Sequence, residues 1–207
     1  MKLYLSSYRL GKETDKLIEM TPIKKIAYIP NALDFEGADP KRKQKHIEKD
    51  MNSLKELGLQ CELLDLKQYF NKEQELKQKL KQIKAVFISG GNTYVLRQAM
   101  KLSGMDKILN NIKENKENFL YAGYSAAGCV LSPSLKVYQT VDNPQTPYKE
   151  QKEIIWEGLG FIDYAFMPHY DSDHNESEDI NKEIEYCKTN SKPYKAIRDG
   201  EVIIEEK

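Results

Sequence analysis

The run Phe119-Leu120-Tyr121-Ala122-Gly123-Tyr124-Ser125-Ala126-Ala127-Gly128 carries the clearest chemical signal in this chain. An apolar stretch suited to a buried strand ends at Gly123, one serine stands at the turn, and small residues follow that can open a helix. A sharp strand-to-helix turn of this kind lifts a hydroxyl out of the sheet and leaves the next backbone N–H free to hold an oxyanion. The chemistry is attack by the Ser125 hydroxyl on a carbonyl. The plainer alternative is a serine that only caps the helix behind it. Gly123 and Ala126 speak against that alternative, because a strained turn needs small neighbours and a simple cap does not.

Such chemistry needs partners. An oxyanion hole takes two N–H donors that converge on one point, one after the nucleophile and one from a neighbouring strand-end loop. Ala126 supplies the first. Gly90-Gly91 ends the apolar run Ala85-Val86-Phe87-Ile88 and supplies the second through Gly91, although a pair of glycines also suits an ordinary turn. A serine also needs a base, and histidine is the usual one. Of the three histidines, His46 lies in the charged run Lys41-Arg42-Lys43-Gln44-Lys45 and reads as solvated, while His174 lies in a polar loop. His169 follows Ala165-Phe166-Met167-Pro168 and is expected at a strand end on the same rim as Ser125. The imidazole needs an orienting acid, for which Asp142 and Asp199 both qualify. Asp199-Gly200 also reads as a tight hairpin turn. Asn92, Tyr124 and Glu178 flank these groups and are assigned to the substrate, with Asn92 equally suited to capping a helix. A rival reading joins His169, Asp171, Asp173 and His174 to a metal, but their spacing matches no defined motif.

The elements that must hold these groups alternate. Strands are expected at 2–7, 24–30, 61–64, 85–88, 119–122 and 164–167, and helices at 39–57, 72–83, 93–101, 105–116 and 176–188. Segments 194–197 and 202–204 are expected to form a terminal hairpin. Alternation of this kind implies a mainly parallel sheet with helices on both faces and ligands at the carboxyl ends of the strands. Both Gly90-Gly91 and Ser125 fall at such ends.

Composition narrows the classes. A chain of 207 residues can bury a full core, and a single domain spanning 1–207 is the natural expectation. Its 32 basic and 32 acidic side chains cancel, so net charge points to neither nucleic acid nor an anionic membrane. Apolar runs are too short to span a bilayer and no signal-peptide pattern follows Met1. Cys61, Cys129 and Cys187 are widely spaced, which suits reduced thiols in a cytoplasmic protein. Cys129, inside the helix behind the elbow, reads as a small core residue rather than a nucleophile. The oligomeric state is open, a homodimer included.

Three motifs in this order, Phe87-Ile88-Ser89-Gly90-Gly91-Asn92-Thr93, Ala122-Gly123-Tyr124-Ser125-Ala126 and Pro168-His169, resemble those of the dipeptidase E (aspartyl dipeptidase) and cyanophycinase group of serine peptidases. The resemblance runs from about residue 24 to the C-terminus. It implies an α/β fold, a three-layer αβα sandwich like that of class I glutamine amidotransferases, with serine where those enzymes place cysteine. It also implies Ser125 as nucleophile, His169 as base, Gly91 and Ala126 as oxyanion donors, and no cofactor. The third member corresponds either to Asp142 or to Asp199, and a strand-end turn favours Asp199. Two departures stand out. Ala127 replaces a glycine usual in the family, an added methyl worth roughly 1–3 kcal/mol of strain where packing is tight. The arginine with which aspartyl dipeptidase reads an acidic N-terminal residue has no counterpart in Asn175-Glu176-Ser177-Glu178-Asp179. Acidic groups there repel a substrate carboxylate and favour a cationic or amine-bearing substrate. The expected function is a serine-type peptidase or amidohydrolase that cleaves a dipeptide or other small amide through an acyl-enzyme. The alternative is a catalytically idle relative with a binding or regulatory role.

Overall fold

The computed structural model describes residues 1–207. Strands β1 (Lys2–Ser6), β2 (Lys25–Ile29), β3 (Gln60–Leu63), β4 (Ala85–Ile88) and β5 (Leu120–Tyr124) are mutually parallel. Strands β6 (Ala165–Met167) and β7 (Tyr194–Ala196) form a separate parallel pair, and β8 (Val202–Glu206) closes the main sheet. The order of the six-stranded sheet is β3-β2-β4-β5-β1-β8, with β8 alone antiparallel.

Side chains alternate across a strand, and here that alternation sorts the core into two layers. Leu3, Leu5, Ala27, Ile29, Val86, Ile88 and Tyr121 belong to one apolar cluster. Tyr4, Ile26, Tyr28, Ala85, Phe87, Leu120, Ala122 and Tyr124 belong to the other. The first face is covered by helices α3 (Glu73–Ile83), α4 (Thr93–Ser103), α5 (Met105–Glu114), α6 (Ala126–Cys129) and α7 (Ser177–Thr189). The second is covered by α1 (Thr14–Met20) through Leu17 and by α2 (Pro40–Glu56) through Ile47 and Leu54. Each such fully buried aliphatic side chain contributes about 1.5–3 kcal/mol. This is the three-layer α/β architecture expected from the alternation of elements.

Two helices that matter to the site begin at side-chain caps. Asp39 accepts from the N–H groups of Lys41 and Arg42 ahead of Pro40, so α2 starts where its first donors are satisfied. Asn92 accepts from Tyr94 and Val95 and starts α4 directly behind Gly90-Gly91. Caps of this type are worth about 1 kcal/mol each.

The terminal hairpin does not form. β7 pairs with β6 and β8 pairs with the free edge of β1, so the Asp199-Gly200 turn links two different sheets. The open edge of β1 offers β8 five residues of pairing (Lys2 to Ser6 against Glu206 to Val202), more than a three-residue β7 could. Helix α1 was not anticipated, and residues between α6 and β6 carry only a 3-10 turn at Leu135–Tyr138. No helix is long and apolar enough to cross a membrane.

Candidate active site

Ser125 sits at φ 49°, ψ −110°, outside the helical and extended wells. A non-glycine residue held there costs on the order of 1–3 kcal/mol and persists only where its surroundings dictate it. They do so here. The Ser125 N–H donates to Ser6 O at 3.2 Å, prolonging the β1–β5 ladder by one bond past the strand. A Cβ on Gly123 would lie 2.5 Å from both Ala127 Cβ and Ile88 O, and one on Gly128 would lie 2.4 Å from the Phe166 ring. The Ala127 methyl therefore occupies space that a side chain at 123 would claim, which is how this chain accommodates alanine in a tight elbow.

The second glycine turn is equally constrained. Gly91 has φ 135°, and a Cβ there would meet Ala32 O at 2.4 Å. No loop or cap hydrogen bond uses the N–H of Gly91 or of Ala126. Both amides are thus left for another acceptor, as a pair of oxyanion donors requires.

His169 follows β6 at φ 60° and is 1% exposed. Its Nδ1 lies 2.7 Å from Asp199 Oδ1. With a carboxylate on that side, Nδ1 carries the proton and Nε2 presents its lone pair. Burial, together with the neighbouring His174, pushes the imidazole down to about 4 against the opposing pull of Asp199. At neutral pH the ring is therefore uncharged and able to accept a proton.

Ser7 was missed by the sequence reading. Fully buried just past β1, it donates from Oγ to Asp199 Oδ1 at 2.7 Å and accepts from the His169 N–H at 2.8 Å. Its neighbour Ser6 holds the Ser125 backbone, so two adjacent residues at the end of β1 anchor both the elbow and the imidazole. The available signal was position alone: a polar pair closing an apolar strand on the same rim. Asp199 is steadied further by its N–H, which donates to Ser172 Oγ at 2.9 Å. No hydrogen bond joins Ser125 Oγ to His169. Instead His169 Nε2 faces Glu176 Oε2 at 3.7 Å. Catalytic hydrogen bonds of this kind often tighten only when substrate is bound.

Several assigned residues lie elsewhere. Asp142 does not reach His169; its Oδ2 accepts from the Thr93 N–H at 2.8 Å, capping α4, and burial pushes it up to about 6. Asn92 is buried and spends its Oδ1 on the α4 cap and one amide N–H on Asn143 O, so its first role is structural. Tyr124 turns its side chain into the α1/α2 layer, where its hydroxyl donates to Asp50 Oδ2 at 2.7 Å and meets His46 Nε2 at 2.6 Å. His46 is correspondingly not an idle surface residue. Burial raises Asp50, but hydrogen bonds from His46, Tyr124 and Tyr28 outweigh it and hold that carboxylate below its usual range. Glu178 is exposed on the first turn of α7. Glu176, one residue before that helix, is the acid that reaches the imidazole. Cys129 is buried with its thiol pushed well up by desolvation, which suits packing rather than nucleophilic work.

His169, His174 and Glu176 could be read as a metal site, since their ligand atoms lie within 4.8 Å of one another. The rings of His169 and His174 are stacked, with centroids 3.6 Å apart and planes 6° from parallel. Lone pairs lie in the ring planes, so parallel rings aim them side by side and not at one point about 2.0–2.1 Å from each. Asp171, also named in the metal reading, is ion-paired with Arg198. A cavity of about 450 Å³ bordered by Leu80, Ile108, Ile112 and Phe119 opens at the amino end of β5, away from this rim.

Comparison with known proteins gives a consistent picture. The model of peptidase family S51 matches residues 7–207. An uncharacterized peptidase of Listeria monocytogenes is 29% identical over 149 residues, which cover 72% of this chain and 67% of that protein. Peptidase E of Streptomyces coelicolor is 26% identical over 127 residues, covering 59% and 49%. A crystal structure of a candidate peptidase E protein from Listeria monocytogenes superposes with a TM-score of 0.73 at 24% identity, covering 100% of this chain and 98% of the other. That likeness establishes the fold.

Proposed function

The chain belongs to peptidase family S51, and from that premise we propose that it is a serine peptidase acting on a dipeptide or other small amide. Family membership and the peptidase names of its relatives support peptide-bond hydrolysis. The finer reading is carried by one observation: a buried, neutral imidazole bonded to Asp199 through Nδ1, anchored beside the serine elbow by Ser6 and Ser7.

In the proposed reaction the substrate carbonyl lies over Ser125 with its oxygen between the Gly91 and Ala126 amides. Oγ bonds to the carbonyl carbon while His169 Nε2 takes the hydroxyl proton. Collapse of the tetrahedral intermediate breaks the C–N bond, and the imidazolium returns the proton to the departing amine. Water, deprotonated by the same imidazole, then cleaves the acyl ester and regenerates the hydroxyl. Asp199 keeps Nδ1 protonated and steadies the imidazolium. With acidic residues and no arginine in the segment 175–179 that follows the histidine loop, substrates with an acidic N-terminal residue are disfavoured.

A fluorophosphonate tests this directly. The wild-type chain is expected to label once, at Ser125, as mapped by peptide mass spectrometry. A chain that stays unlabelled at saturating probe would instead be an idle relative.

A further inference from the structure

We propose that Asp50 is a positioning residue for hydrolysis at Ser125. Its buried carboxylate fixes the Tyr124 side chain, and through it both the serine elbow and the glycine loop that carries the second oxyanion donor. The proposal rests on the serine-hydrolase reading above and adds to it a residue that touches neither substrate nor triad.

Hydrogen bonds converge on this carboxylate from separate elements. Asp50 lies on the sheet side of α2 and is 4% exposed. Its Oδ2 accepts from the Tyr124 hydroxyl at 2.7 Å and from the Tyr28 hydroxyl at 2.8 Å, and its Oδ1 from Arg9 Nη1 at 2.6 Å. Tyr124 closes β5, Tyr28 belongs to β2, and Arg9 follows β1. His46, one turn earlier on α2, brings Nε2 to 2.6 Å from the Tyr124 hydroxyl. That hydroxyl gives its own proton to Asp50, so it accepts the His46 N–H. The far end of the Tyr124 side chain is thereby held on two sides.

Its near end touches the reacting groups. Tyr124 immediately precedes Ser125, whose φ of 49° persists only while its neighbours enforce it. A Cβ on Gly90 would lie 2.7 Å from the Tyr124 ring and 3.2 Å from Ser125 Cβ, so the ring fills the space against the backbone that leads into Gly91. One side chain thus braces the elbow before the Ala126 donor and the loop before the Gly91 donor. A shift of about 1 Å at reacting groups costs on the order of 10²-fold in rate.

Stability alone gives little reason for a charge at this position. Exchanging a buried ion pair for apolar side chains is often neutral or stabilising, and α2 otherwise presents Ile47 and Leu54 to the same layer. A carboxylate differs in accepting from several donors in fixed directions, which orients the rings that supply them. Arg9 ties the same network to the base. Its carbonyl accepts from the Ser6 hydroxyl, its guanidinium lies 5.1 Å from the centre of the Tyr8 ring, and that ring meets the His169 ring at 6.0 Å.

The test needs no known substrate. Fluorophosphonate labelling of Ser125 is measured as kinact and KI for wild type, Asp50→Asn, Tyr124→Phe, the double variant and Leu54→Ala, each with a thermal melt. An amide at position 50 cannot accept on both sides, so either Arg9 or the two tyrosine hydroxyls lose their acceptor. Asp50→Asn is expected to lower kinact by about 10- to 100-fold with KI unchanged. Tyr124→Phe is expected to lower kinact too, and the double variant to be no slower than Asp50→Asn, because both remove one link. Leu54→Ala, a cavity in the same helix face, is expected to lower Tm and leave kinact unchanged. Wild-type kinact in Asp50→Asn, losses that multiply in the double variant, or an equal loss of kinact in Leu54→Ala overturns the proposal and leaves a labelled Ser125 hydrolase intact. Where Asp50→Asn does not fold, Tyr124→Phe decides, and wild-type kinact in that variant overturns it. A wild-type chain that never labels overturns the hydrolase reading and this proposal with it.

Discussion

Ser125→Ala is expected to lower kcat for any substrate of this chain by a factor on the order of 10⁴–10⁶, with folding intact. The large effect follows from geometry. Without Oγ nothing on this rim can form the acyl bond: Cys129, the nearest thiol in sequence, is buried, bonded to Phe166 O and strongly resistant to ionisation. Residual catalysis would come only from the Gly91 and Ala126 amides acting on water. Folding should be preserved because the elbow is held by Gly123 against Ala127 and by the Ser125 N–H to Ser6 O, neither of which involves the hydroxyl. Steady-state kinetics with a thermal melt measures both. Full activity in this variant would remove the serine mechanism altogether.

Asp199→Asn is the second large effect, and its contrast with Asp142→Asn makes it informative. An amide at 199 no longer stabilises the imidazolium, and where its NH2 faces the ring it holds Nδ1 in the wrong tautomer, a change worth about 10⁴-fold in kcat. The same substitution also disturbs Ser7, whose Oγ donates to Asp199 Oδ1. Asp142→Asn keeps a carbonyl oxygen for the Thr93 N–H and should leave kcat within about threefold, with a stability change under about 1 kcal/mol. Measuring the two side by side separates the acid that serves the base from the acid that caps α4. A collapse of activity in Asp142→Asn with near-normal Asp199→Asn would reverse the assignment.

The sequence made the framework legible where signals were local. Continuous apolar runs marked β4 and β5, Asn92 and Asp39 marked helix starts, and the glycine–serine turn marked the elbow. What it concealed was set by distant partners. Asp199-Gly200 carries a strong hairpin signal, yet β8 found a longer partner in the β1 edge, and that choice carries Asp199 to His169. His46 sits in a run of charges whose pattern reads as solvated, but Asp50, four residues on, faces inward and draws it to Tyr124. Tyr124 adjoins Ser125 in sequence, yet the period-two pattern Leu120, Ala122, Tyr124 turns its side chain into the α1/α2 layer. The acidic run 175–179 was noticed as a whole. Which of its acids turns inward depends on α7 starting at Ser177, leaving Glu176 in the turn beside the imidazole. Ser7 carries no motif at all, and only the meeting of β1 with the histidine and acid loops reveals its part.

The account depends on Ser125 Oγ and His169 Nε2 meeting at a carbonyl whose oxygen lies between the Gly91 and Ala126 amides. A crystal structure of the chain after reaction with a small fluorophosphonate measures this most directly. The predicted result is a phosphorus bonded to Ser125 Oγ, its oxygen about 2.7–3.1 Å from both amide nitrogens and His169 Nε2 within hydrogen-bond reach of the adduct. An adduct oxygen turned away from both amides, or an imidazole still directed at Glu176 and out of reach of the adduct, would contradict it.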